Sequence, residues 1–462
     1  MTLRRRGYKA YFAGGCVRDM LMGKRPVDYD IATDALPGDV IGLFDIVIPV
    51  GREFGVVVVV VGGDKFEVTT FRREGAYLDG RRPSSIEFTD EEEDAHRRDF
   101  TINGIFYDPI DDRYLDYVGG REDIRRGIIR SIGDPEERFR EDRLRILRGI
   151  RFSSRFRFPI EDETRAAITG IAPLVKSVSA ERIRDEVIKI LMGPYPHVGM
   201  SLMHELGVME VILPEVSAMD GIEQPPAFHP EGDVLTHTLL MLEIMSDASR
   251  AGPGTEVTAR EAPREDGTIR EVPPESRLLG CRHSVVSIEL ALGVLLHDIG
   301  KPSTMERADR IRFNNHAAVG AGMSEQIMKR LRFSKVQNRR VVSLVRNHLK
   351  FIEVRKMRRS TLKRFLTMEN FDQHLELHRL DCLASHGDLS NYEFCRERLL
   401  EIAEEPLPVS RLLTGRDLIR LGFTPGPLFK EILTHVEDLQ LEGRIRTKEE
   451  AEKAIIALYG NK

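Results

Sequence analysis

Gly14-Gly15-Cys16-Val17-Arg18-Asp19 and Asp28-Tyr29-Asp30 stand in quick succession near the N-terminus, the first directly after the short apolar run Ala10 to Ala13. Met20, Leu21 and Met22 follow the first motif at the start of a helical pattern, so the order reads as strand, tight turn and helix. A glycine pair lets backbone approach a ligand closely, the first turn of a helix offers free N–H groups to anions, and Arg18 adds a charged fork for phosphate. Gly14, Gly15 and Arg18 are therefore read as nucleotide-binding residues. Alone, a glycine pair is only a turn. Asp28-Tyr29-Asp30 changes that reading, because residues two apart on a strand face the same side and both carboxylates then converge on one divalent ion or a pair. Oxygen-only ligands suit magnesium. Beside a bound triphosphate, such ions would lower the pKa of an attacking RNA 3′ hydroxyl and neutralise the departing pyrophosphate. Asp28 and Asp30 are the expected catalytic, magnesium-binding pair. Glu67 is a candidate third acid, although nothing in the sequence turns it toward them.

Outward from these motifs, strand-like runs crowd the N-terminal part: Ala10 to Ala13, Asp30 to Ala32, Asp45 to Val50, Gly55 to Val61, Phe66 to Phe71 and Ser85 to Phe88. After about Asp123 helical spacing dominates, as in Leu144, Ile146, Leu147 and Ile150. The expected fold class is α+β, with a mixed-sheet head followed by an all-α remainder. Residues 249–276 are rich in Pro, Gly, Glu and Arg and read as a long surface loop or disordered insertion.

With 462 residues and 41% hydrophobic content, the chain can bury a sizeable core divided among two to four domains. Cys16, Cys281, Cys382 and Cys395 form no CxxC pair, which argues against a disulfide framework or a structural zinc and fits a cytoplasmic protein. The longest apolar run, Val56 to Val61, is strand-sized, so neither membrane nor export is expected. Net charge is −5, yet Arg121 to Ile160 carries twelve arginines against seven acids, and Met328 to Phe365 fourteen Lys or Arg against Glu353 alone. So lopsided a balance exceeds routine helical pairing and is read as an RNA path.

Downstream of the first two motifs come Arg97-Arg98-Asp99-Phe100-Thr101-Ile102-Asn103 and Glu141-Asp142-Arg143-Leu144-Arg145. In this order the four resemble the motifs of class II tRNA nucleotidyltransferases and bacterial poly(A) polymerases, which share a DNA polymerase beta-like catalytic fold. The resemblance implies metal binding at Asp28 and Asp30, triphosphate contacts at Gly15 and Arg18, and sugar or phosphate contacts from Arg97 or Arg98. It further implies base reading by the EDxxR motif and nucleotide contacts from Arg148 and Arg151. The partners implied are a tRNA 3′ end, CTP and ATP. The division expected is a head over 1–122, a neck over 123–185, a helical body over 186–400 and a helical tail over 401–462.

Asp142 and Arg145 lie three apart in a helical pattern, so they are expected to share a face and meet one base edge. A carboxylate accepts and a guanidinium donates. Cytosine and adenine both offer an amino donor beside a ring-nitrogen acceptor, whereas uracil and guanine offer the reverse order. The bland reading is a salt bridge between the two residues. Residues 72–94 carry Gly75, Gly80 and Pro83 and are expected to form a mobile loop. A loop of this kind in the family adjusts the pocket between C and A addition.

His237, His297-Asp298 and Asp381 have the H…HD…D order of HD phosphohydrolases, with His316 and His348 as further candidate ligands. Imidazole with carboxylate suits a transition metal. An HD domain over 222–390 is expected, with phosphohydrolase activity as a secondary function. Leu412 to Leu418 and Gly422 to Pro427 resemble the tail of HD-containing tRNA nucleotidyltransferases. CCA addition is the leading reading. Polyadenylation or A addition is its close rival, and a phosphohydrolase with a merely RNA-binding head is the reading from another class.

Overall fold

A computed structural model describes residues 1–75, 85–226, 229–251, 286–404 and 411–460. The chain divides into two compact units, Met1–Asp220 with Gln326–Ser334, and Gly221–Glu325 with Lys335–Lys462.

The first unit opens with α1 (Thr2–Arg5), β1 (Ala10–Ala13), α2 (Gly15–Leu21), β2 (Asp30–Thr33), α3 (Pro37–Leu43), β3 (Val47–Gly51), β4 (Val56–Val61) and β5 (Asp64–Thr70). Then come β6 (Arg72–Glu74), β7 (Ile86–Phe88), α4 (Glu91–His96), β8 (Ile105–Asp108) and β9 (Arg113–Asp116). Six consecutive β-branched valines make β4, where Val57 and Val59 are buried while Val58 and Val60 stay partly exposed. A mixed sheet runs in the order β3-β4-β5-β2-β1-β8-β9, with β2 and β5 parallel and the other neighbours antiparallel. Leu3, Ala35, Val40, Val57, Val59 and Val68 form a core cluster on one face. Tyr11, Ala13, Ala32, Phe71, Ala95 and Phe106 form a second cluster. Ala13 is paired across the ladder with Asp30, so that acid shares the face of the second cluster.

Two strands, β8 and β9, lie beyond the last one expected from sequence. Each is four residues long and the second, Arg113-Tyr114-Leu115-Asp116, has charged ends, so neither stands out by period. The segment 72–94 also departs from a plain mobile loop. Its flanks form the β6–β7 hairpin and helix α4, whose Asp90 cap accepts from the Glu93 amide, while residues 76–84 lie outside the described residues.

Helices follow: α5 (Gly120–Arg126), α6 (Pro135–Glu141), α7 (Leu144–Phe156), α8 (Asp162–Ile171), α9 (Ala180–Leu191), α10 (Pro196–Glu205), α11 (Val208–Ile212) and α12 (Pro214–Ser217). Ile146, Leu147 and Ile150 of α7 are fully buried. Gly149 lets Phe100 press against this helix, since a Cβ there would come within 2.9 Å of the ring. The RRDFTIN segment is thereby seated on α7.

The second unit contains α13 (Val234–Ala251), α14 (Ile288–Leu296), α15 (Lys301–Thr304), the hairpin β10 (Met305–Arg307) and β11 (Ile311–Phe313), and most of α16 (His316–Arg330). It continues with α17 (Lys335–Asn347), α18 (Arg359–Leu366), α19 (Phe371–Ala384), α20 (Ser390–Glu404), α21 (Gly415–Arg420), α22 (Pro427–Leu441) and α23 (Lys448–Tyr459). The small hairpin interrupts a region read from sequence as wholly helical. Of the expected insertion, 249–251 complete α13 and the rest lies outside the described residues, as does Cys281. No helix among the described residues is long and apolar enough to cross a membrane.

Candidate active site and metal centre

In the head, Asp30 begins β2 and Asp28 sits in the bend just before it, rather than on the strand itself. The parallel ladder sets Asp30 directly beside Glu67 of β5. Partial burial pushes the Asp30 carboxyl above its ordinary value, Arg98 opposes that shift and Asp28 adds to it. Glu67 is likewise raised by burial and then by Asp30, against Arg72. Asp28, Asp30 and Glu67 thus share one local field: all three residues are exposed, while the Asp30 and Glu67 carboxyls are partly shielded from water. Strand pairing brings the candidate third acid, Glu67, beside Asp30, which period alone could not reveal.

Gly14 caps α2 with φ of 69° and ψ of −127°, a conformation that favours glycine. A Cβ on it would meet Arg98 Nη1 at 3.1 Å and Asp30 Oδ2 at 3.9 Å, so the turn lies between a cation and a catalytic candidate. Arg18 differs from the open phosphate fork expected. Its side chain is buried, donates to Asp19 Oδ1 and to Asn103 Oδ1 at 2.7 Å, and lies over the Phe156 ring. Asn103 donates in turn to Asp99 Oδ1, and Arg148 Nε donates to Asp99 Oδ2 at 2.7 Å. The motifs around Arg18, Asp99 and Arg148 are one hydrogen-bonded chain. Burial works against the ionised Asp99, but Arg148 and Asn103 hold its carboxyl down at about 2. Arg97 and Arg98 divide the two oxygens of Asp94 between them, which keeps that buried carboxyl ionised against its desolvation. Arg97 also reaches Glu74 of the β6 strand.

The expected single face for Asp142 and Arg145 is not formed. Asp142 ends α6, and α7 starts only at Leu144, so a helix break separates the two residues. Asp142 Oδ1 accepts from the Leu144 amide and Oδ2 from Arg182 at 2.9 Å. Arg145 is buried and donates to Glu141 and to the carbonyls of Arg138 and Arg97. The bland salt bridge between them is absent too. Arg182, on α9, escaped the sequence reading because it lies forty residues from its partner. Arg151 pairs with buried Glu186 and stacks over Phe152, while Arg148 and Arg151 both lie along α7.

The basic run Met328 to Phe365 is divided between the two units. Its first part belongs to the first unit and the part from Lys335 onward to the second. Acids from elsewhere in the chain offset it: Glu181 with Arg332, Glu215 with Arg330, Glu369 with Arg339 and Arg340, and Glu437 with Arg364.

In the second unit, His237 comes from the first turns of α13, His297 and Asp298 follow α14, His316 opens α16, His348 follows α17 and Asp381 comes from α19. Their atoms converge: His237 Nε2 to Asp381 Oδ1 is 3.2 Å, His297 Nε2 to Asp298 Oδ2 is 3.1 Å, and His316 Nε2 to Asp298 Oδ1 is 3.3 Å. His316 and His348 approach to 3.3 Å through their Nε2 atoms. Buried Lys301 donates to Asp298 and to Gln224. His297, His316 and His348 each hold Nδ1 against the carbonyl three residues back, Val294, Phe313 and Val345. Each Nε2 lone pair is thereby left facing the cluster. Burial would strip the proton from His237, yet Asp381 and Glu231 raise its pKa to about 9, whereas burial takes His348 down to about 4. The buried Nε2 atoms of His237 and His297 have no hydrogen-bond partner. Inward-facing imidazole nitrogens beside carboxylates are the donor set of a transition-metal site, so these residues fit one. Glu231 and His229, unexpected from sequence, lie beside His237 and form a potential ligand group with it.

Family models match the chain in three parts. Residues 10–130 match the poly A polymerase head domain, 157–219 the probable RNA and SrmB-binding site of polymerase A, and 234–369 the HD domain. The CCA-adding enzyme of Geobacillus stearothermophilus is 48% identical over 207 residues, 45% of this chain and 51% of that protein. That of Geobacillus kaustophilus is 46% identical over 219 residues, 47% of this chain and 53% of the relative. The chain therefore spans about half the length of the curated relatives it matches. Over the whole chain, the crystal structure of the Bacillus stearothermophilus CCA-adding enzyme in complex with CTP aligns with a TM-score of 0.65 and 27% identity, covering 100% of this chain and 95% of that one. A CCA-adding enzyme complex with ATP aligns at a TM-score of 0.59 and 21% identity, covering 98% and 92%, a likeness of fold.

Proposed function

Because the chain belongs to the family of class II tRNA nucleotidyltransferases and bacterial poly(A) polymerases, we propose that it adds C and A to the 3′ end of tRNA, using CTP and ATP without a template. The observation that carries this reading is the ladder that sets Asp30 against Glu67, with Asp28 two residues upstream and the Gly14 turn alongside. Three exposed carboxylates with no nitrogen ligand suit magnesium. Magnesium held by them would lower the pKa of the acceptor hydroxyl and offset charge on the departing pyrophosphate. The chain's own part is positioning. The Gly14 turn and Arg98 flank the triphosphate, and the Arg18–Asn103–Asp99–Arg148 chain fixes the cradle to α7. Asp142, aimed by Arg182 and the Leu144 amide, reads the base together with Arg145. The parts follow the division into head, neck, HD-containing body and tail at 1–122, 123–185, 186–400 and 401–462, in a cytoplasmic enzyme.

A second activity is favoured by the orphaned histidine nitrogens. The HD cluster holds a transition metal and hydrolyses phosphate esters, with RNA ends as its substrate class. A binding-only head would have no use for three acids at one point.

The test is incubation of the purified protein with magnesium, labelled CTP or ATP, and tRNA lacking its terminus. Two C followed by one A is expected. Long A tracts would assign polyadenylation instead, and A incorporation without C would assign an A-adding enzyme.

A further inference from the structure

Three of the four clustered histidines sit at helix boundaries, and each turns its Nδ1 onto the free carbonyl three residues back. His237 has no such carbonyl. It lies inside α13, where its own amide already takes the Asp233 carbonyl and the Thr238 hydroxyl takes that of Val234. Its Nδ1 is met by a side chain instead, Glu231 Oε1 at 2.6 Å. The same oxygen lies 2.8 Å from His229 Nδ1, and the His229 and His237 rings meet edge to face with centroids 5.0 Å apart. Distances of 2.6 and 2.8 Å are hydrogen-bond lengths, so one carboxylate oxygen is engaged by both Nδ1 atoms. Glu231 is itself mostly buried, so its negative charge is fixed beside the ring rather than spread into water.

We propose that Glu231 is the outer carboxylate of the HD centre: it fixes His237 with its proton on Nδ1 and Nε2 toward the ion, and it sets how tightly that ion is held, with His229 steadying the carboxylate. A carboxylate behind a ligating imidazole makes the ring a better donor than a carbonyl does, and loss of such a partner typically weakens metal binding about 10- to 100-fold. Of the four rings, His237 alone has this charged backing among the described residues. The proposal rests on the HD cluster being a metal site, and the experiment separates the two.

Full-length protein carrying Asp28→Ala and Asp30→Ala, so that the head takes no ion, is stripped with a chelator and titrated with Mn²⁺ by calorimetry. Into it are introduced His237→Ala, Glu231→Gln and His229→Ala, and folding is checked by far-UV circular dichroism. Glu231→Gln keeps size and a hydrogen-bond acceptor while removing the charge. It is expected to weaken Mn²⁺ binding about 10- to 100-fold at unchanged stoichiometry, with His229→Ala weakening it by a smaller factor. In the otherwise unmodified enzyme, nucleotide addition stays unchanged on Glu231→Gln. An unaltered Mn²⁺ affinity in Glu231→Gln, with binding lost in His237→Ala, overturns the role of Glu231 alone. One ion fewer per chain in Glu231→Gln also overturns it, by making Glu231 an inner ligand. Full binding retained in His237→Ala sinks the metal site itself.

Discussion

The head leaves Asp30 and Glu67 exposed on neighbouring strands with Asp28 in the bend just ahead, whereas the second unit takes His237, His297, Asp298, His316 and His348 almost wholly out of solvent. Magnesium is ordinarily held by one or two carboxylates together with substrate phosphates, which a site open to solvent can admit. His297, His316 and His348 of the second unit are instead held in place by hydrogen bonds to backbone carbonyls. The two centres therefore differ in what removing a ligand should do. Asp30→Ala is expected to lower nucleotide addition at least about a thousandfold, roughly 4 kcal/mol of barrier, with circular dichroism and the HD metal content unchanged. Glu67→Gln, beside it in the ladder, is expected to cost about ten- to a hundredfold. Loss of the HD metal in Asp30→Ala protein would break the independence of the two centres.

Chelation sharpens the same contrast. An ion bound only by the folded HD cluster, and present at a thousandfold excess over its dissociation constant, stabilises by about 4 kcal/mol. At roughly 2–4 °C per kcal/mol for a unit of this size, stripping it should lower the melting temperature of the second unit by about 8 °C or more. Removing magnesium alone should leave melting nearly unmoved while abolishing addition. Calorimetric scans before and after selective readdition of Mg²⁺ or Mn²⁺ decide this. Equal thermal shifts from either ion would erase the distinction.

Burial also matters within the first unit, where Asp99 is the buried anion of the chain running from Arg18 to Arg148. Its pKa of about 2 lies below the ordinary carboxylate value, so its contribution is complete above about pH 4 and is lost as pH falls through about 2. That lowering corresponds to about 2–3 kcal/mol. Asp99→Asn is expected to lose about that much at pH 7 in urea unfolding, and the gap from the parent protein should narrow by pH 3. A gap that stays constant over that range would mean that packing, and not the ion pair, holds this junction.

The sequence made the exposed site partly legible and the buried one more so. Asp28 and Asp30 are neighbours along the chain, and a two-residue spacing suffices to pair them. Glu67 joins them only through a parallel ladder thirty-seven residues away, which no local period encodes. The HD histidines could be found because their order and spacing are distinctive. Glu231 could not, since a glutamate ahead of a helix is ordinarily a cap or a surface charge. The neck misled in another way. Helical spacing put Asp142 and Arg145 on one face, but Asp142 sits between two helices and turns its side chain forward to the Leu144 amide that opens the second, a competition that short polar residues often win. Strands β8 and β9 were missed because four-residue strands carry too few alternations to show a period.

That helix break yields the smallest effect. Asp142 and Arg182 are both partly exposed, at 18% and 25%, unlike Arg151 and Glu186 at 13% and 3%. A solvent-screened pair contributes at most about 1 kcal/mol, so Arg182→Ala should barely move unfolding. Its consequence belongs to base choice. Arg182 is one of two donors that aim the Asp142 carboxylate, and with only the Leu144 amide left the acceptor that should meet the amino group of cytosine or adenine is free to swing. Uracil offers a carbonyl at that position and is rejected only while the carboxylate stays put. Arg182→Ala should therefore lower the ratio of kcat/KM for CTP over UTP several-fold, about 1 kcal/mol, with kcat for CTP little changed. An unchanged ratio would mean that Asp142 is held by the helix break itself, and that the solvent-open pair is as dispensable for selectivity as it is for stability.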